Sequence, residues 1–227
     1  MKMIAEIDLE DMDLVECTLY ADCISKKMKT KKTISLSDFK EMLSETKIEA
    51  IELRKMPRFP QGMIDLNWYD DHNYEVTVFV PEQVHPTAYL KEGNERFLPF
   101  PNLVFFFKVE KGAMVNSNVY AVKEKRARNI VDETTLYQFP YGNVWGNGKI
   151  CWGSNSGIFQ LKAISDLENS VATFFNATMN SDLYNREWTT KKFESLEELL
   201  NEMAGKDRFP SEMLSSTHQL YGMLMNR

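Results

Sequence analysis

The most reactive side chains in this chain are three thiols, Cys17, Cys23 and Cys151. An odd count does not build a disulfide framework, and 227 residues can bury a core without one. Cys17 and Cys23 lie six positions apart, and no neighbouring Cys or His completes a zinc set. His72, His85 and His218 are scattered, so neither a metal nor a cofactor is expected. Cys151 has different surroundings. It lies in Phe139-Pro140-Tyr141-Gly142-Asn143-Val144-Trp145-Gly146-Asn147-Gly148-Lys149-Ile150-Cys151-Trp152-Gly153, with four glycines between 142 and 153. Glycine at that density lets backbone take positive φ or approach a ligand closely. A thiol on such a loop can attack a carbonyl and hold the acyl group as a thioester. The default for a lone cysteine is a small, inert core residue. Cys17 and Cys23 are read that way. A papain-like pairing of Cys151 with His218 lacks the local signature of such hydrolases.

The elements that must carry this loop read as strands first and helices after. Residues 14–21 have strand content. The run 26–32, with five lysines in seven residues, reads as a solvated turn. A helix follows from Ser35 or Ser37 as cap, with Leu36, Phe39 and Leu43 on one face. Residues 63–70 and 74–80 read as strands joined by a tight turn. Residues 81–97 read as the longest irregular stretch, and 98–109 as one buried strand. Residues 113–122 pair back after the Lys111-Gly112 turn. The basic Lys123–Arg128 segment reads as a solvated hairpin end or a dock for an acidic partner surface. Leu161, Ile164, Leu167, Val171, Phe174 and Phe175 recur at helical spacing over about four turns. Leu196, Leu199, Leu200 and Met203 mark a second helix, ended by Gly205. Leu214, Leu220 and Leu224 after Pro210 suggest a last one. The fold class expected is α+β: an antiparallel meander followed by helices. The expected layout is one domain over 1–227, with a strand-helix extension (1–60), a core (61–205) and a C-terminal helix (206–227).

Composition narrows the function classes. Apolar residues make up 43% and charged residues 26%, an ordinary globular balance. The net charge of −6 lacks the basic footprint of a nucleic-acid binder. The longest uncharged apolar-rich run, Leu98–Phe107, is too short to span a membrane, and the acidic start MKMIAEIDLEDMDLVE is no signal peptide. The expectation is a cytoplasmic protein that binds neither nucleic acid nor membrane.

The loop carries a resemblance. The spacing Asn-Val-x-x-x-Gly-x-Ile-Cys resembles the active-site signature of ubiquitin-conjugating enzymes, whose His-Pro-Asn tripeptide places Asn eight positions before the catalytic cysteine. Here Asn143 lies eight before Cys151, Gly148 three before and Ile150 one before. Leu98-Pro99-Phe100-Pro101-Asn102-Leu103-Val104-Phe105 resembles the proline-rich lead into that family's central strand. Asn180-Ser181-Asp182-Leu183-Tyr184-Asn185 resembles the segment beyond the active-site helix, which in many members carries an acidic residue near the thioester. Asp182 is 31 residues past Cys151. A closer resemblance is to prokaryotic ubiquitin-conjugating-like family D, which includes protein B of the plasmid-associated PRTRC systems. It runs over roughly 14–215. It takes in Asp65-Leu66-Asn67-Trp68, Thr135-Leu136-Tyr137, the Asn143-to-Gly153 loop and Phe174-Phe175. Three departures stand out. Tyr141-Gly142 occupies the His-Pro position, Trp152-Gly153 replaces an apolar-acidic pair, and about 30 extra residues (109 to 140) suggest an added hairpin.

The resemblance implies a UBC-like fold and a carrier whose Cys151 takes a ubiquitin-like protein from a ThiF-like activating-enzyme homologue. It also implies a metal-dependent deconjugating protease in the same pathway. Asn143 would donate to the oxyanion or brace the loop. Asp182 would orient the incoming amine or lower its pKa. No histidine base is needed. The alternatives are a UBC-fold scaffold with an unused thiol, in a plasmid- or mobile-element-associated system, and a thiol sensor or hydrolase.

Overall fold

The computed structural model describes residues 2–7, 14–23, 26–45, 57–91, 95–154 and 160–225. Its contacts divide the chain at Lys55–Met56 into two compact units.

The first unit is a three-stranded antiparallel sheet in the order β1-β2-β3, formed by β1 (Lys2–Ile7), β2 (Leu14–Cys23) and β3 (Lys26–Ser35). The lysine run expected as a turn lies in β3. It pairs with β2 along its whole length, from Leu14↔Ser35 to Cys23↔Lys26. Backbone pairing outweighs the weak strand preference of lysine, and Lys31 meets Glu16 diagonally across the strands at 3.1 Å. Helix α1 (Leu36–Glu45) follows directly. Of its two expected caps, Ser35 is used: its Oγ accepts the Asp38 N–H at 3.0 Å.

The second unit is built on a six-stranded antiparallel sheet. β4 (Met63–Asp70) and β5 (Asn73–Val80) form the expected hairpin. β5 then pairs with β8 (Asn102–Glu110), and β8 with β9 (Ala113–Val122). Short β10 (Thr135–Tyr137) and β11 (Ser216–Leu220) complete the order β11-β10-β9-β8-β5-β4. The expected irregular stretch 81–97 instead holds β6 (Gln83–Ala88) and the start of β7 (Glu95–Phe100), a separate two-stranded hairpin. The single strand expected over 98–109 is two. Pro101 separates them, because proline has no N–H to give a ladder and marks where the chain leaves one sheet for the other. The extra length before the Cys151 loop is β9, a short 3-10 turn at Ala127–Asn129 and β10. Lys123, Lys125, Arg126 and Arg128 are exposed on that connection.

One face of the sheet carries the main core. Val76, Val78, Phe105, Phe107, Val119 and Ala121 join Leu167, Phe174 and Phe175 of α2 (Leu167–Asn176) and Leu196, Leu199, Leu200 and Met203 of α3 (Leu196–Met203). Edge-to-face aromatic pairs lock α2 in place, with Phe105–Phe174 at 5.2 Å and Phe100–Phe175 at 5.1 Å. The opposite face holds a smaller cluster of Phe79, Val104, Tyr120, Val122, Leu136 and Tyr221.

Two helix expectations change. α2 begins at Leu167 rather than near Leu161. The Asp166 carboxylate accepts the Lys162 and Ala163 N–H groups at 2.8 and 3.0 Å, which holds the preceding residues in a 3-10 turn. Among the described residues, the C-terminal helix expected over 206–227 is not formed. Residues 216–220 pair with β10 as strand β11, between 3-10 turns at Ser211–Met213 and Tyr221–Met225. Ser215-Ser216-Thr217-His218 is a poor helix former, and the Thr217 hydroxyl donates to the Leu136 carbonyl at 2.8 Å, favouring the strand. Among the described residues, no helix is long and apolar enough to cross a membrane.

Candidate active site

Residues 143–151 fold as a tight hairpin. Val144 bridges Ile150, the Trp145 N–H donates to the Lys149 carbonyl at 2.9 Å, and the Gly148 N–H to the Trp145 carbonyl at 2.8 Å. The hairpin leans on β9. The Ile150 N–H donates to the Ser117 carbonyl at 3.0 Å, and the Val119 N–H to the Gly148 carbonyl at 2.9 Å. The Tyr120 hydroxyl donates to the Asn147 carbonyl at 2.6 Å. Gly148 has φ +80°, and a Cβ there would run into the Tyr120 ring, so glycine is required on both counts.

Cys151 ends the hairpin, half-buried. Its N–H donates to the Asn143 carbonyl at 2.8 Å, which closes the loop across the eight-residue spacing. Asn143 sits at φ +65°, a left-handed conformation that asparagine tolerates better than most residues. Its side chain reaches the segment beyond α2. Nδ2 donates to the Thr178 carbonyl at 2.9 Å, and Oδ1 accepts the Asn180 N–H at 3.3 Å. The side chain thus ties the Cys151 loop to the segment beyond α2. Gly142 permits the same contact, since a Cβ there would overlap the Asn180 carbonyl oxygen.

The braced segment is itself anchored. The Met179 N–H donates to the Ala88 carbonyl and the Leu90 N–H to the Met179 carbonyl, both at 2.9 Å, so Met179 extends the β6–β7 hairpin as a third, parallel partner. Asp182 follows, exposed, with its N–H donating to Asn180 Oδ1 at 3.1 Å. A continuous path of hydrogen bonds therefore joins Cys151 to Asn143, Asn143 to Asn180, and Asn180 to Asp182. Thr178 and Asn180 belong to this arrangement and were not singled out from the sequence as site residues. The only local signal was Asn180-Ser181-Asp182, a composition suited to an Asx turn.

At the position of the family histidine, Tyr141 is fully buried, and its hydroxyl donates to the Pro99 carbonyl at 2.7 Å. Burial pushes its phenol well above the ordinary range. After Cys151, the Trp152 indole N–H donates to Ser117 Oγ at 2.8 Å, and its ring meets Phe174 edge-on at 6.4 Å. Trp152 therefore packs the site against the core, whereas Trp145 on the hairpin is half exposed. Cys17 and Cys23 lie in β2 of the first unit. His218 is an exposed residue of β11. Among the described residues, no three His, Cys, Asp or Glu side chains group as metal ligands. A cleft of about 560 Å³ opens between Val78–Pro81 and Val171, Ala172 and Phe175, and Cys151 does not line it.

No curated protein matches the chain, and no solved structure does. The model of prokaryotic E2 family D matches residues 43–217, narrower at the N-terminal side than the resemblance read from the sequence. That match takes in Asn143, Cys151 and Asp182, and covers most of the chain. The chain belongs to prokaryotic E2 family D.

Proposed function

We propose that this protein is a ubiquitin-conjugating-like carrier that accepts a ubiquitin-like protein as a thioester on Cys151 and passes it to an amine. The observation that carries this reading is the Cys151–Asn143 backbone bond, combined with the Asn143 side chain tied to Thr178 and Asn180. It holds a half-buried thiol on a rigid loop beside a segment bearing an exposed carboxylate. The β4-β5-β8-β9 meander followed by α2 is consistent with a UBC-like core.

In the first step the Cys151 thiolate attacks the thioester carbonyl held on an activating enzyme of ThiF-like type. The tetrahedral intermediate collapses and expels the donor thiolate. In the second step an amine attacks the Cys151 thioester, the C–S bond breaks, and an amide forms. The amine nitrogen loses a proton, and the Asp182 carboxylate is the group assigned to take or relay it. A positioned base of this kind contributes ~10²–10⁴ in rate. The bracing Asn143 keeps the loop from shifting as charge develops on the oxyanion. The pathway reading adds a cytoplasmic setting and a metal-dependent deconjugating protease.

A scaffold reading rests on Tyr141-Gly142. A fully buried tyrosine bonded to Pro99 serves packing and needs no thiol chemistry. The two readings separate on a non-reducing gel. With ATP, the activating enzyme and the cognate ubiquitin-like protein, a carrier gives an adduct that thiol reductant removes. Cys151→Ala abolishes it, and Cys151→Ser leaves a reductant-resistant ester. Full binding of both partners with no adduct on the wild-type protein would favour the scaffold.

A further inference from the structure

Asp182 is exposed, and among the described residues the hydrogen bond that fixes its place is the one from its N–H to Asn180 Oδ1 at 3.1 Å. Asn180, by contrast, is held from several sides. Its own N–H donates to Asn143 Oδ1 at 3.3 Å, and its carbonyl oxygen lies where a Cβ on residue 142 would sit. The residue before it, Met179, is buried and pinned by two backbone hydrogen bonds at 2.9 Å, one to Ala88 at the end of β6 and one to Leu90 just beyond it. Asn180 is thus a firm platform that faces the Cys151 loop through its backbone and Asp182 through its side chain. An amide oxygen that accepts the N–H two residues on fixes the intervening turn.

We propose that Asn180 is a positioning residue: it holds the Asp182 carboxylate in register with the thioester on Cys151 during attack by the amine. This rests on the carrier reading above and deepens it by assigning the residue on which Asp182 depends. The loading step, which uses only the thiol, does not require Asn180. The amine step does.

A partner-free assay tests this on the full chain. The acetyl-Gly-Gly thioester of mercaptoethanesulfonate loads Cys151 by thiol exchange, releasing mercaptoethanesulfonate. Intact mass then follows loading, and discharge to the ε-amine of Nα-acetyl-lysine amide. Asn180→Ala is expected to load within about twofold of wild type but discharge about a hundredfold more slowly, the low end of what a positioned base supplies. Its pH–rate profile should match that of Asp182→Ala, and the double variant should be no slower than either single one, as for residues acting as a unit. Asn180→Asp keeps an acceptor oxygen and should restore most of the rate. Melting temperature checks that each variant is folded. Wild-type discharge from Asn180→Ala, or additive losses in the double variant, would overturn the assignment. A wild-type thioester that discharges no faster than the same acyl group on N-acetylcysteine would instead sink the carrier reading itself.

Discussion

The Tyr141 hydroxyl donates to the Pro99 carbonyl at 2.7 Å, and both residues are buried. This bond ties the residue two places before Asn143 to β7, across 42 residues of sequence. Tyr141→Phe removes this buried hydrogen bond, at a cost of about 0.5–1.5 kcal/mol. Thermal unfolding should show this as a lower Tm, by ~2–4 °C per kcal/mol for a domain of this size. An unchanged Tm would mean that water or a shifted backbone satisfies Pro99.

Gly148 and Gly146 lie two residues apart and should respond differently to alanine. Gly148 has φ +80° and the Tyr120 ring where a Cβ would go, whereas Gly146 faces open space. Gly148→Ala should lose about 2 kcal/mol or more from the left-handed backbone and the clash. Gly146→Ala should stay within about 0.5 kcal/mol of wild type. Denaturant midpoints of the two variants make the comparison directly.

Asn143 has two separable jobs, a left-handed backbone and a side-chain brace. Asn143→Gly keeps the first and removes the second, while Asn143→Ala removes both. Both variants should slow amine transfer more than loading. Asn143→Ala should in addition be less stable, by about 1 kcal/mol for the backbone penalty. Equal damage to loading and transfer would point to collapse of the loop rather than loss of the brace.

Legibility from the sequence followed how local each signal was. The alternation in 74–80 and the capped helix at Ser35 depend on neighbouring residues, and both were readable. The Asn143–Cys151 spacing was readable through the family resemblance alone, while the bond that spans it lies within one hairpin. The C-terminal leucines misled, because their helical spacing competes with Ser-Ser-Thr-His and with pairing to Thr135–Tyr137, more than 75 residues earlier. The β6–β7 hairpin was hidden by its prolines. Thr178 and Asn180 were unreadable as site residues for a similar reason. What places them is the pairing of Met179 with Ala88 and Leu90, and no local pattern announces a contact across 90 residues of sequence.

Alkaline pH should loosen the second unit. Burial, with Asp166 adding to it, pushes the Tyr74 phenol up to about 12. Burial likewise pushes Tyr184 up to about 12. Unfolded tyrosine titrates near ~10. The folded state therefore holds these protons more tightly. The stability this represents is fully present below pH ~10 and is lost as pH rises toward about 12. Phenolate absorbance should rise late and together with loss of structure. Tyr74→Phe should reduce the slope of stability against pH in that window, and an unchanged slope would contradict the assignment.

The central claim is that Cys151, and neither Cys17 nor Cys23, carries the acyl group. Intact mass spectrometry with peptide mapping tests it most directly, after incubation with ATP, the activating enzyme and the cognate ubiquitin-like protein. The expected result is an ATP-dependent gain of one ubiquitin-like protein, reversed by dithiothreitol and mapped to the peptide containing Cys151. An adduct that persists in Cys151→Ala, or maps to Cys17 or Cys23, would contradict it.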